Sequence, residues 1–315
     1  MVETLGGSTG VPIGTVSSTT YTFRTWCDLY SLAELKEDFG TTLTDSALRR
    51  YLDGALEMVF GYIGHSFGQA LWIYHDGSGS ATAATVAVSS LGVLSLVITG
   101  GTYAGTDTFA LTSYTMWTLA TAIEALEKGW RIKLVTDPEQ PALNLRVTTS
   151  PLSVYGYTNQ RPLCLCSWTE IHSGNGETRL FLKWPFRSVV SVIEDGTTLT
   201  EDTDFWSRRE GWLIREIDEG SQYHWYTPDT WSVKEPNNIT VKYVPWWIGP
   251  VPSVVARVLM GLVQYLVSET GYHSEKIGDY SYTKNGNNAL TWLQMLDGLG
   301  TGFSSYASGV AGGLW

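Results

Sequence analysis

The sequence predicts an α+β fold: a helical bundle joined to a β-hairpin or small sheet, with a small ββ-α-ββ domain inserted. Three observations predict it. Helix signals stand toward both ends of the chain, at 45–63 and at about 252–270. Strand runs broken by Gly, Pro and Asn turns fill the middle. No βαβα alternation runs through the chain, which excludes a doubly wound sheet.

The elements follow in order. Residues 1–20, MVETLGGSTGVPIGTVSSTT, are rich in Gly, Ser and Thr without an apolar period, and are expected to form a flexible arm. SLAELKEDFG reads as a short helix, with a Ser31/Glu34 capping box and Gly40 as its stop. TDSALRRYLDGALEMVFGYI reads as a second, capped by Asp45, with Leu48, Tyr51, Leu52, Ala55, Val59 and Ile63 on one face. From residue 76 the chain loses most of its charge and gains Thr, Val and Gly. That stretch reads as strands, then the helix YTMWTLATAIEALEKG, then the strands RIKLVT and ALNLRVTT. Residues 76–150 are expected to close on themselves as an inserted β-rich domain. The connecting core is then 21–75 with 151–297.

Beyond Pro151, TRLFLKWPF, SVVSVIEDGTTL, WLIREI and NNITVKYVPWW read as strands, separated by Gly174-Asn175-Gly176, Asp195-Gly196 and Pro236-Asn237-Asn238. The helix at about 252–270 has Pro252 in its first turn and Gly271 past its end. It is apolar on most sides, which predicts a place at the centre of a bundle. A last helix is expected at about 287–297, followed by the Gly/Ser-rich tail 298–315.

Composition narrows the function. The chain has 315 residues, enough for a full core, and 43% of them are hydrophobic. Its formal net charge is -11, with no Lys/Arg run of the kind a nucleic-acid binder carries. The 14 Trp and 17 Tyr suit interfaces as well as cores. No basic-then-apolar leader is seen, and the apolar run 254–267 is short of the ~20 residues a bilayer span needs. A soluble protein is expected. Three Cys are too few for a disulfide framework. Cys164 and Cys166 alternate at strand spacing, and His172 has no companion that would make a zinc site.

Two motifs hint at chemistry. GHSFG, residues 64–68, fits the G-x-S-x-G nucleophile pattern, and His172, His224 and His273 could serve as its base. But such an elbow needs a strand before the Ser, and the preceding residues read as a helix that Gly64 ends. The acids Glu194, Asp195, Glu201, Asp202 and Asp204 crowd EDGTTLTEDTD, where solvated turn acids are expected. The stretch lacks the residue order of a calcium loop.

Four pieces occur in one order: a short capped helix followed by ALRRYLDGALEMVFGYIGHSF; EIHSGNGETRLFLKWPFRSVVSVIEDGTTLTEDTDFW; NNITVKYVPWWIGPVPSVVARVLMGLVQYLV; and SEKIGDYSYT, residues 274–283. Together they resemble the head–tail connector (adaptor) proteins of long-tailed bacteriophages, over about 22–67 and 155–297. The block 76–150 departs from a minimal adaptor. The resemblance implies a virion protein of the phage neck with no catalysis, cofactor or metal. It implies a ring, usually of twelve copies, under the portal protein, which meets the stopper or tail-completion protein and continues the channel for double-stranded DNA without reading its sequence. It also implies contacts made by Ser274, Glu275, Lys276, Ile277, Gly278, Asp279 and Tyr280, here taken as a polar loop hinged at Gly278. Lys276 and Asp279 could pair between subunits. Trp231, Trp246 and Trp247 are further contact candidates. Phe303, Tyr306, Leu314 and Trp315 mark the tail as a segment that orders on the portal. The competing expectations are a tail or baseplate module whose insert binds a glycan, and a hydrolase using Ser66.

Overall fold

The computed structural model describes residues 35–37, 43–64, 66–215, 230–248, 253–268, 274–277, 280–283 and 288–296. The arm 1–20, the Ser31/Glu34 box with Gly40, and the tail 298–315 lie outside the described residues.

The helical-bundle expectation is overturned. Among the described residues, fourteen strands form four antiparallel sheets of three or four strands, and a further two pair as a separate hairpin. Helices are the minority. The longest are α1 (Asp45–Ile63) and α3 (Ser253–Ser268), which pack on each other and on the short α4 (Asn288–Gln294). The apolar content of α3 misled the reading. Val255, Val258, Leu259, Leu262 and Val263 are buried, but Arg257 and Gln264 give the helix an exposed side. It lines a mixed core instead of filling a bundle.

Helix α1 forms as its periodicity predicts. Leu48, Leu52, Ala55 and Val59 are buried, and Gly64 closes the helix in the left-handed region at φ 83. The N-cap is Thr44, whose hydroxyl accepts from the Ala47 amide at 3.3 Å, and not Asp45. Asp45 is the first helical residue and pairs with Lys36.

Strand β1 (Gln69–His75) follows at once and is buried along almost its whole length. It is the middle strand of a sheet with β5 (Trp130–Leu134) and β7 (Arg161–Cys164). Between β1 and β5 run β2 (Ala83–Val88), β3 (Val93–Thr99), β4 (Gly105–Ala110) and helix α2 (Met116–Glu124). Thr115 and Thr118 cap α2 reciprocally.

The ββ-α-ββ expectation for 76–150 is corrected in two ways. Three strands precede α2 and one follows it. ALNLRVTT is not a strand: Ala142–Asn144 is a 3-10 turn. Its Asn144 is buried and held by side chains, donating to Thr169 Oγ1 at 2.9 Å and accepting from Ser167 Oγ at 3.1 Å. Those bonds fix the turn across the chain to 167–169. The block also shares its ladders with the rest of the protein. β5 pairs with β1, His75 opposite Trp130, and β2 pairs with β6 (Leu152–Ser153).

The second half builds two sheets. β11 (Thr197–Leu199), β10 (Phe186–Glu194), β14 (Ile239–Pro245) and β8 (Trp168–His172) form one, in that order. β14 alternates buried and half-buried residues, as its sequence predicts. β12 (Phe205–Arg208), β13 (Trp212–Arg215) and β9 (Arg179–Phe181) form the other. One apolar core runs unbroken from α1 and α3 through all of these sheets.

Candidate interaction surfaces

The stretch 274–283 is a hairpin and not the expected polar loop. β15 (Ser274–Ile277) and β16 (Tyr280–Thr283) pair antiparallel, with Lys276 opposite Ser281 and Ile277 opposite Tyr280. The sequence favours this: two Tyr and a Thr stand in the second strand, and only two residues separate it from the first. Gly278 and Asp279 themselves lie outside the described residues, as do Phe303, Tyr306, Leu314 and Trp315. Among the described residues neither strand of the hairpin joins another sheet.

The tryptophan candidates are placed differently. Trp231 and Trp247 are buried inside the chain, so its core absorbs them. Trp247 meets Trp168 edge-on at 5.7 Å and Trp184 at 6.2 Å. Trp246 is half-buried, and its carbonyl accepts from Arg187 Nε at 3.1 Å.

Ser66 is 7% exposed, and its hydroxyl donates to the Gln69 carbonyl at 2.6 Å. A helix precedes it and β1 follows, the reverse of a nucleophile elbow. His172 is engaged by Glu170 at 2.9 Å, and His224 and His273 lie outside the described residues. The hydroxyl serves as a turn fastener.

The acidic stretch is partly structural. Glu194 is buried, contrary to the solvated-acid expectation. It pairs with Arg215 at 2.9 Å and accepts from the Ser232 amide at 2.6 Å, so it ties β10 to β13. Asp204 accepts from the Thr200 amide at 2.6 Å, and Glu201 from the Ser207 hydroxyl. Asp195 is exposed and accepts from Asn238 at 3.0 Å, a bond that holds its carboxyl below the usual range. Cys164 is buried, while Cys166 is exposed and free. Among the described residues no group of three or more His, Cys, Asp and Glu could hold a metal ion, and no helix is long and apolar enough to cross a membrane.

One surface escaped the sequence reading. On the β12–β13–β9 sheet, Leu180, Leu213 and Phe205 face the core. The opposite face carries Arg179, Phe181, Trp206, Arg208, Trp212 and Ile214, by the pairings Trp206↔Ile214, Arg208↔Trp212, Trp212↔Phe181 and Ile214↔Arg179. Phe181 is 43% and Trp206 40% exposed, and both arginines are exposed. The Arg179 guanidinium lies 5.1 Å from the Trp212 ring centre, and Phe181 meets that ring edge-on at 5.7 Å. The signal was there as alternation in TRLF and FWSRREGWLI, but the strands are only three or four residues long.

A scan against protein-family models matches none, and a search of curated proteins matches no sequence.

Proposed function

We propose that this chain is a structural protein of a phage neck. It forms a ring beneath the portal, joins the DNA-filled head to the tail and continues the DNA channel. The observation that carries this reading is the hairpin 274–283. A two-stranded hairpin alone in water is marginal. Both outer edges of this one are unclaimed by any other strand among the described residues, and it stands after the apolar helix α3, where the resemblance puts a contact phrase. Unpaired edges are templates for a strand from another chain. In this reading a neighbouring copy or the portal completes the hairpin, and that assembly supplies the stability the hairpin lacks. The net charge of -11 suits a channel wall that DNA slides past without adhering.

The test is co-expression with the portal protein of the same genome, followed by electron microscopy. A second ring stacked on the portal is expected. Replacing 274–283 by a Gly/Ser linker should abolish stacking while the thermal melt of the rest survives. Bare portals beside free protein, together with particles lacking this chain at the neck, would transfer the assignment to a tail or baseplate module.

A further inference from the structure

We infer that the outward face of the β12–β13–β9 sheet is the surface by which one copy of this chain grips the next. The inference rests on the ring reading above and adds the face that closes the ring.

The composition of the face is the first reason. Its six outward side chains are two Arg, two Trp, one Phe and one Ile. Arg and aromatic residues dominate the centres of protein interfaces, where Lys, Glu and Asp are depleted. None of those three residue types stands among the six. The second reason is rigidity. The side chains stand on a three-stranded ladder whose other face is core, and Arg179 is stacked on Trp212. Little ordering entropy is then lost on contact.

Charge selects the occupant. The chain carries 31 acidic and 20 basic side chains, so a copy of it approaches as a polyanion. A face bearing two guanidiniums and no carboxylate is complementary to that approach. Two such faces meeting each other would gather four guanidiniums with no carboxylate among the outward side chains, which disfavours that contact. The contact is therefore between unlike surfaces, the arrangement that closes into a ring. A single-stranded nucleic acid could also stack on exposed aromatics flanked by Arg. It is the competing occupant, and the test separates the two.

The full chain is produced with its portal as wild type, as Arg179→Glu/Arg208→Glu and as Trp206→Ser. Circular dichroism and a melt confirm folding, and microscopy and sedimentation read assembly. The charge reversal should eliminate rings, leaving monomers that a pull-down still recovers on the portal. Trp206→Ser, which changes no charge, should weaken ring formation at least tenfold. Rings unaltered in both folded variants would overturn the inference and leave the connector reading standing. A wild type that never rings on the portal removes both. Tight binding of a labelled single-stranded oligonucleotide, lost in Arg179→Glu/Arg208→Glu while rings persist, would reassign the face to nucleic acid.

Discussion

Arg49 shows how a charge is kept inside this protein. It sits on the buried face of α1, 4.4 Å from the Trp72 ring centre, with Nε 3.0 Å from Asp53 one turn on. Tyr157 donates to the other oxygen of Asp53 at 2.8 Å. Removing one partner of a buried pair strands the other charge, so Asp53→Ala should cost about 3 kcal/mol in urea unfolding. Replacing both by apolar residues, as Arg49→Met/Asp53→Leu, should cost less than the single change. A larger loss in the double variant would show that the ion pair itself stabilises. The same cluster predicts a pH effect. Burial, then the Asp53 carboxylate, pushes the Tyr157 phenol from 10.0 up to about 12. A folded value above the unfolded one stabilises fully below about pH 10 and fades as pH rises through about 12. Wild type should therefore lose stability more steeply than Tyr157→Phe between pH 10 and 12. Parallel curves would sink that assignment. Arg49 was hidden in the sequence, because a charged residue beside an apolar stripe reads as solvent-facing. Glu194 was hidden likewise, since its half-buried partner Arg215 is on another sheet.

At the scale of elements, long periodic segments were legible and short or uniform ones were not. α1 and β14 carry clear periods of 3.6 and 2, and both form where those periods place them. β1 was missed because QALWIYH is a continuous apolar run, which periodicity cannot distinguish from a piece of helix. The hairpin strands within 274–283 read as a loop because SEKIGDYSYT is mostly polar and broken by Gly278, with no sustained apolar alternation. The helix pair offers its own test. A Cβ built on Gly261 of α3 would overlap the Trp292 ring of α4. Glycine weakens a helix interior by about 1 kcal/mol relative to Ala, so Gly261→Ala ordinarily stabilises. Here overpacking against the indole should reverse the sign, with a net loss of about 1–2 kcal/mol. Pairing it with Trp292→Leu should recover the loss. A stabilised Gly261→Ala would mean that α4 is not held against α3 in solution.

The whole molecule differs from the sequence expectation in how its parts depend on one another. The alphabet of strands between 76 and 150 suggested a self-sufficient insert, but strand partners cannot be read from a single strand's composition. The register assigns β5 to β1 and β6 to β2, so ladders cross both ends of that block. Helix α2 packs on β5 and β1 together. Alone, 76–150 would present β5 without its partner and β2 with one edge bare, and α2 would cover a sheet reduced to one strand. Isolated 76–150 should therefore show no cooperative thermal transition. Its deletion from the full chain should expose β1, a strand buried along nearly all its length, and give an aggregating product. A sharp melt for the isolated block would show that β2, β3, β4 and α2 suffice as a folding unit. The ladders to β1 and β6 would then dock a domain that is already folded. In the proposed ring, that outcome would let the block act as an independent decoration. The expected one makes it part of the frame that holds β1, and the packed pair α1 and α3 beyond it, in place.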